Sequence, residues 1–163
     1  MHIRFTKAPP AAAADTLACI RPDGSTTVGA MKRQGILPHE AFHFVVETAL
    51  EWHDAFFGRI ARGAAVDATT ELLHGSRHPW EKMTQAQQCE ALIDCLQADQ
   101  WGGATDPASF AESLVAACRR RGVPPPADIL PADLDRVRAA LREFGAAWRP
   151  LVPGHSLERT FGS

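Results

Sequence analysis

From His2 to Lys7 apolar and polar residues alternate, the pattern of a strand with one buried face. Residues 8–14, Ala-Pro-Pro followed by four alanines, break that alternation and read as a connector. Two further strands are predicted over Thr16 to Arg21 and Thr26 to Arg33. Between them Arg21-Pro22-Asp23-Gly24 is a strong turn signal, with proline preset for the first central position and glycine free to take a positive φ. The N-terminal part therefore reads as an antiparallel hairpin, or a three-stranded sheet if the first strand adds to its edge.

After Gly35-Ile36-Leu37 the period changes from two to three or four. Pro38 stands where the first helical residue is expected, its missing N–H costing nothing there. Phe42, Val45, Val46, Ala49 and Leu50 then recur at helical spacing, predicting a helix from Pro38 to about Trp52. A shorter helix over Asp54 to Arg62 stops at Gly63, and a segment around Ala68 to Leu73 follows. The second half reads as three helices. Thr84 and Gln87 fit a capping box ahead of the stripe Cys89, Leu92, Ile93 and Leu96. Asp106 and Pro107 open a helix that ends before Gly122. The last helix starts near Pro131, carries the seam Leu134, Val137, Leu141, Phe144 and Trp148, and ends before Pro150. The tail, Pro150 to Ser163, has two prolines and two glycines and reads as irregular. The expected fold is α+β: a small N-terminal antiparallel hairpin or three-stranded sheet, then about five packed helices, in one domain over 1–163.

Composition narrows the partners. The chain has 163 residues, 45% apolar and 22% charged, which suits one folded domain with a sizeable core. A formal net charge of −2 gives no general attraction to nucleic acid or anionic lipid. No apolar run reaches the roughly 18 residues of a membrane span, and no leucine-rich secretory segment follows the N-terminus, so a soluble, cytoplasmic protein is expected. Cys19, Cys89, Cys95 and Cys118 form no Cys-x-x-Cys pair and read as reduced core residues. There is no glycine-rich phosphate loop.

One constellation carries chemistry, His39-Glu40-Ala41-Phe42-His43 on the first predicted helix. Residues i and i+4 lie about 40° apart and roughly 6 Å along the axis, so two imidazoles can converge on one ion. This His-Glu-x-x-His resembles the signature of the zincin metallopeptidases. The resemblance covers those five residues and implies His39 and His43 as zinc ligands with Glu40 as general base. The metzincin extension is absent, since Val46 and Ala49 stand where its glycine and histidine would be. A third ligand is needed. Glu47 lies about 12 Å of helix rise from His39, too far for all three to close on one ion. Glu71, His74 and His78 are the better candidates, Glu71 falling within the downstream window that gluzincin-like proteins use, while His53 would need a sharp turn after Trp52.

Two other readings compete. Glu40-x-x-His43 and Glu71-x-x-His74 together resemble the ferritin-like di-iron pattern, which needs two more helical glutamates, with Glu47, Glu51 and Glu90 as weak candidates. Alternatively the histidines are structural and the chain is a non-catalytic interaction module, a homodimer through its helical half. The residues thus leave open a divalent-metal protein, zinc-like and conceivably a hydrolase acting on an unknown small molecule or peptide, against a helical dimerisation module.

Overall fold

A computed structural model of the chain describes every residue except Gln34, 75–82, Ala104, Asp128 and Ser163, with only the backbone of His74. The three expected strands are present as β1 (His2–Thr6), β2 (Ala14–Ile20) and β3 (Thr26–Lys32), paired antiparallel in sequence order. The hairpin turn closes through Arg21 N to Ser25 O at 2.9 Å, with Gly24 at φ 82° as the turn requires. Alternation places Ile3, Phe5, Leu17, Cys19 and Met31 on one fully buried face.

The tail corrects its expectation. Residues Ser156–Thr160 form β4, which pairs antiparallel with the free edge of β1 and completes a four-stranded sheet in the order β3-β2-β1-β4. An unpaired β1 would leave a row of backbone donors and acceptors without partners, and the tail supplies them. Side chains fix the register: Thr6 and Ser156 share a hydrogen bond of 2.7 Å and Arg4 donates to Glu158 at 3.1 Å. Phe161 is buried beyond the strand, and its carbonyl accepts from the N-terminal ammonium at 2.7 Å.

Among the described residues six helices follow β3: α1 (His39–Ala49), α2 (Phe56–Ala61), α3 (Val66–His74), α4 (Thr84–Gly102), α5 (Pro107–Arg120) and α6 (Pro131–Trp148). Phe5 of the sheet meets Phe44 of α1, Phe57 of α2 and Phe144 of α6 edge-on at centroid distances of 5.9, 6.3 and 5.1 Å. This cluster joins sheet to helices. Helix α3 lies close against β3, where a Cβ at Gly29 would come within 2.3 Å of Val66 Cγ1. Among the described residues no helix is long and apolar enough to cross a membrane.

Helix α4 departs from a one-sided stripe. From Ala86 to Ile93 all residues but Gln88 are buried, because α1 and α5 both pack on it. The expected capping box is absent: Thr84 is already helical, Met83 is the N-cap with no side-chain bond, and the Gln87 amide oxygen accepts instead from Arg121 at 3.3 Å. Asp106 does cap α5, accepting from the N–H groups of Ala108 and Ser109 at 3.1 Å each. The α6 seam is spent inside the chain, against α1, with Leu134, Val137, Leu141, Phe144 and Trp148 all buried. A homodimer through that seam therefore has no exposed surface to use.

Arg138 of α6 donates to Asp99 Oδ2 of α4 at 2.6 and 3.1 Å and lies over the Phe110 ring of α5 at 4.8 Å, tying three helices together. Burial pushes the Asp99 carboxyl up, but hydrogen bonds from Thr105 and Arg138 hold it below its usual range. A carboxyl lowered on folding stabilises above its unfolded pKa of about 3.9 and loses that contribution as pH falls through the lower folded value. Urea titrations of the wild type are therefore expected to show stability falling below about pH 4, and Asp99→Asn should flatten that fall. An equal slope in the variant would remove Asp99 from the acid response.

Candidate metal centre

Helix α1 starts directly after Pro38, whose φ of −58° and ψ of 145° are extended, so His39 and His43 occupy its first two turns. Their four-residue spacing sets the two rings 4.9 Å apart. Where α4 crosses α1, Glu90 reaches both: its Oε1 lies 3.0 Å from His43 Nε2 and its Oε2 3.4 Å from His39 Nε2. Tetrahedral zinc with bonds of about 2.1 Å needs its ligand atoms roughly 3.4 Å apart. The two Glu90 oxygens stand near that spacing from the two Nε2 atoms, and one ligand atom from each of the three residues lies within 4.8 Å of the others.

The other face of the His43 ring is held from behind. Its Nδ1 lies 3.3 Å from Glu47 Oε1, and the same carboxylate accepts from Phe57 N at 3.2 Å and Gly58 N at 3.0 Å. The chain delivers those N–H groups by reversing after α1, where Glu51 takes φ 53° and Trp52 N bonds back to Glu47 O at 2.9 Å. Cys89 Sγ lies 3.6 Å from the same Nδ1.

Burial opposes charge on His43, but the Glu90 carboxylate outweighs it and raises the imidazole well above its ordinary value. Burial likewise pushes Glu90 up, and the two histidines overcome it and hold the carboxyl well below its ordinary range. Without a metal the pair is His43 imidazolium with Glu90 carboxylate. Burial drives the Cys89 thiol up to about 12, so it stays protonated. Glu40 is also raised by burial, and its Oε2 is buried with no hydrogen bond among the described residues.

A cleft of about 320 Å³ opens onto this cluster, lined by His39, Glu40 and Glu90 together with Lys32, Thr70, Asp94, Gln97 and Arg121. The Gln97 amide nitrogen lies 3.4 Å from His39 Nδ1. Among the described residues two groups could hold an ion, His39 with His43 and Glu90, and His43 with Glu47 and Cys89. The second is sealed from the cleft, its carboxylate oxygens already accept from backbone N–H groups, and its thiol keeps its proton. The first combines three suitable donors with access and with the unpartnered Glu40 oxygen beside it.

The structure thus brings together His39, Glu40 and His43 of the sequence motif. The carboxylate facing both histidines is Glu90; Glu71, the sequence-based choice, is exposed on α3 and lies outside both groups. The side chain of His74 and all of His78 lie outside the described residues. His53 is exposed, its ring against Phe161 at 6.2 Å. Glu71, which the di-iron arrangement needs, is exposed, as is Glu51, one of its three weak candidates for the further glutamates. Glu90 and Glu47, weak candidates in that reading alone, are the two carboxylates that flank His43. Searched against protein families, curated proteins and solved structures, the chain has no match.

Proposed function

We propose that the chain is a divalent-metal protein in which His39, His43 and Glu90 are the ligands of a zinc-like ion and Glu40 is the proton-handling group of a hydrolytic reaction. One observation carries this reading: the Glu90 carboxylate spans the Nε2 atoms of both motif histidines at 3.0 and 3.4 Å, at the wall of an open cleft. Two histidines and one glutamate leave a tetrahedral ion one open position, as in catalytic rather than structural zinc sites. A bound divalent cation supplies Lewis acidity, polarising a carbonyl and acidifying water. Glu40, raised by burial and with one oxygen unpartnered, is suited to take and return a proton at the cleft wall. The His-Glu-x-x-His resemblance to zincins supports the same assignment. Four free, buried cysteines support a reducing, cytoplasmic setting.

Tag-free protein is expected to take up about one zinc per chain by plasma mass spectrometry, and His39→Ala/His43→Ala to take up none. Zinc at one hundred times its Kd should stabilise the wild type by about 2.7 kcal/mol in thermal or urea unfolding, an effect that chelator reverses. Glu40→Gln should keep the metal and lose hydrolysis of activated ester or peptide substrates. A wild type that takes up no zinc, and whose stability ignores both zinc and chelator, would make the His43–Glu90 pair purely structural and end the metal reading.

A further inference from the structure

We propose that Glu47 is the positioning residue of this centre: its carboxylate keeps the His43 proton on Nδ1 and so presents Nε2 to the ion. The proposal rests on the reading of His39, His43 and Glu90 as metal ligands. Glu47 is fully buried, and both of its carboxylate oxygens face nitrogen groups within 3.3 Å. The backbone N–H groups of Phe57 and Gly58 donate to it, and Nδ1 of His43 lies 3.3 Å from its Oε1. The two backbone donors belong to the start of α2 and cannot rotate away, so they pin the carboxylate in place behind the ring. An imidazole whose Nδ1 faces a fixed acceptor carries its proton there, and its Nε2 lone pair points the other way. That way lie Glu90 Oε1, 3.0 Å from Nε2, and through the same carboxylate His39. Cys89 offers the weaker competitor, a thiol 3.6 Å from Nδ1. A carboxylate that orients a metal-binding histidine through its other nitrogen typically changes metal affinity by about 10–100-fold when removed.

Glu47→Gln keeps the shape and breaks this logic. An amide has one acceptor and one donor end, and three nitrogens face it. With its oxygen turned to the Gly58 N–H, its NH2 faces Nδ1 and favours the tautomer with hydrogen on Nε2, the wrong one for ligation. Zinc affinity measured by competition with a chromophoric chelator is expected to weaken about 10–100-fold in Glu47→Gln. Urea unfolding of the metal-free variant is measured beside it, because a residue that only caps α2 would lower stability and leave the affinity of the folded protein unchanged. The zinc-loaded wild type gives a readout that needs no variant: nitrogen-15 spectra should show His43 with a protonated Nδ1 and a ligated Nε2. Wild-type zinc binding with unchanged affinity in Glu47→Gln, or His43 ligated through Nδ1, overturns the positioning role while leaving the metal reading intact. A wild type that binds no zinc overturns both.

Discussion

Glu90→Ala is expected to destabilise the metal-free chain by about 3–5 kcal/mol, the usual cost of removing one partner from a buried ion pair. His43 is 1% exposed and charged, so losing Glu90 leaves an imidazolium in the core without the carboxylate that outweighs its burial. Glu47 still faces Nδ1, which should hold the loss toward the lower end of that range. At this chain length the thermal midpoint should fall by roughly 6–20 °C, read by circular dichroism in chelator. Zinc should then no longer raise it, because two histidines on one helix remain as the only ligands. Glu90→Gln, which keeps an acceptor and loses the charge, should fall between wild type and alanine variant. A Glu90→Ala loss below about 1 kcal/mol would show that no buried charge is left behind.

Gly58→Ala should act on the same centre from a distance. A Cβ at this position would stand 2.0 Å from the carbonyl oxygen of His53 and 2.3 Å from its carbon. Both are backbone atoms, so the clash is relieved only by moving α2 away from the 53–55 turn. That movement carries off the Phe57 and Gly58 N–H groups that fix Glu47. The expected loss in urea unfolding is on the order of 3 kcal/mol, at the upper end for overpacking by one methyl group. Zinc affinity should weaken with it. Gly102→Ala is the matched control: nothing lies within 4 Å of its Cβ, and a helical glycine replaced by alanine should stabilise by up to about 1 kcal/mol. Equal stability of Gly58→Ala and wild type would mean that the close approach is not built into the folded chain.

Where pairing partners are near in sequence, the elements were readable. The Arg21 to Gly24 turn declares its hairpin, Asp106 caps its helix through its own side chain, and the α6 seam follows one period from Leu134 to Trp148. β4 was not readable, because its residues, Ser-Leu-Glu-Arg-Thr, carry one apolar side chain, and its reason to be extended is the open edge of β1. The motif on α1 was visible because both histidines and Glu40 sit within five residues. Its partner was not, since spacing along one helix says nothing about which residue of α4 will cross it. One signal was present. Glu90 is a charge set between Cys89 and Ala91-Leu92-Ile93, and a charge inside an otherwise buried run needs a partner that sequence alone does not name. Glu47 lies too far along the helix from His39 to share its ion, a limit that does not apply to a hydrogen bond with the far side of His43.

The pairing of β1 with β4 also bears on how the protein is made. Arg4 and Glu158, opposite one another in the sheet, are 154 residues apart. During translation β1 emerges with β2, its hairpin-side neighbour, close behind it, and its second edge stays open until β4 has followed through all the intervening helices. Throughout that interval a nascent polypeptide displays a hydrogen-bonding edge beside the apolar face of Ile3 and Phe5, the kind of surface to which other unfinished chains add. The pairing of β4, made after all six helices have emerged, thus closes an edge open to aggregation.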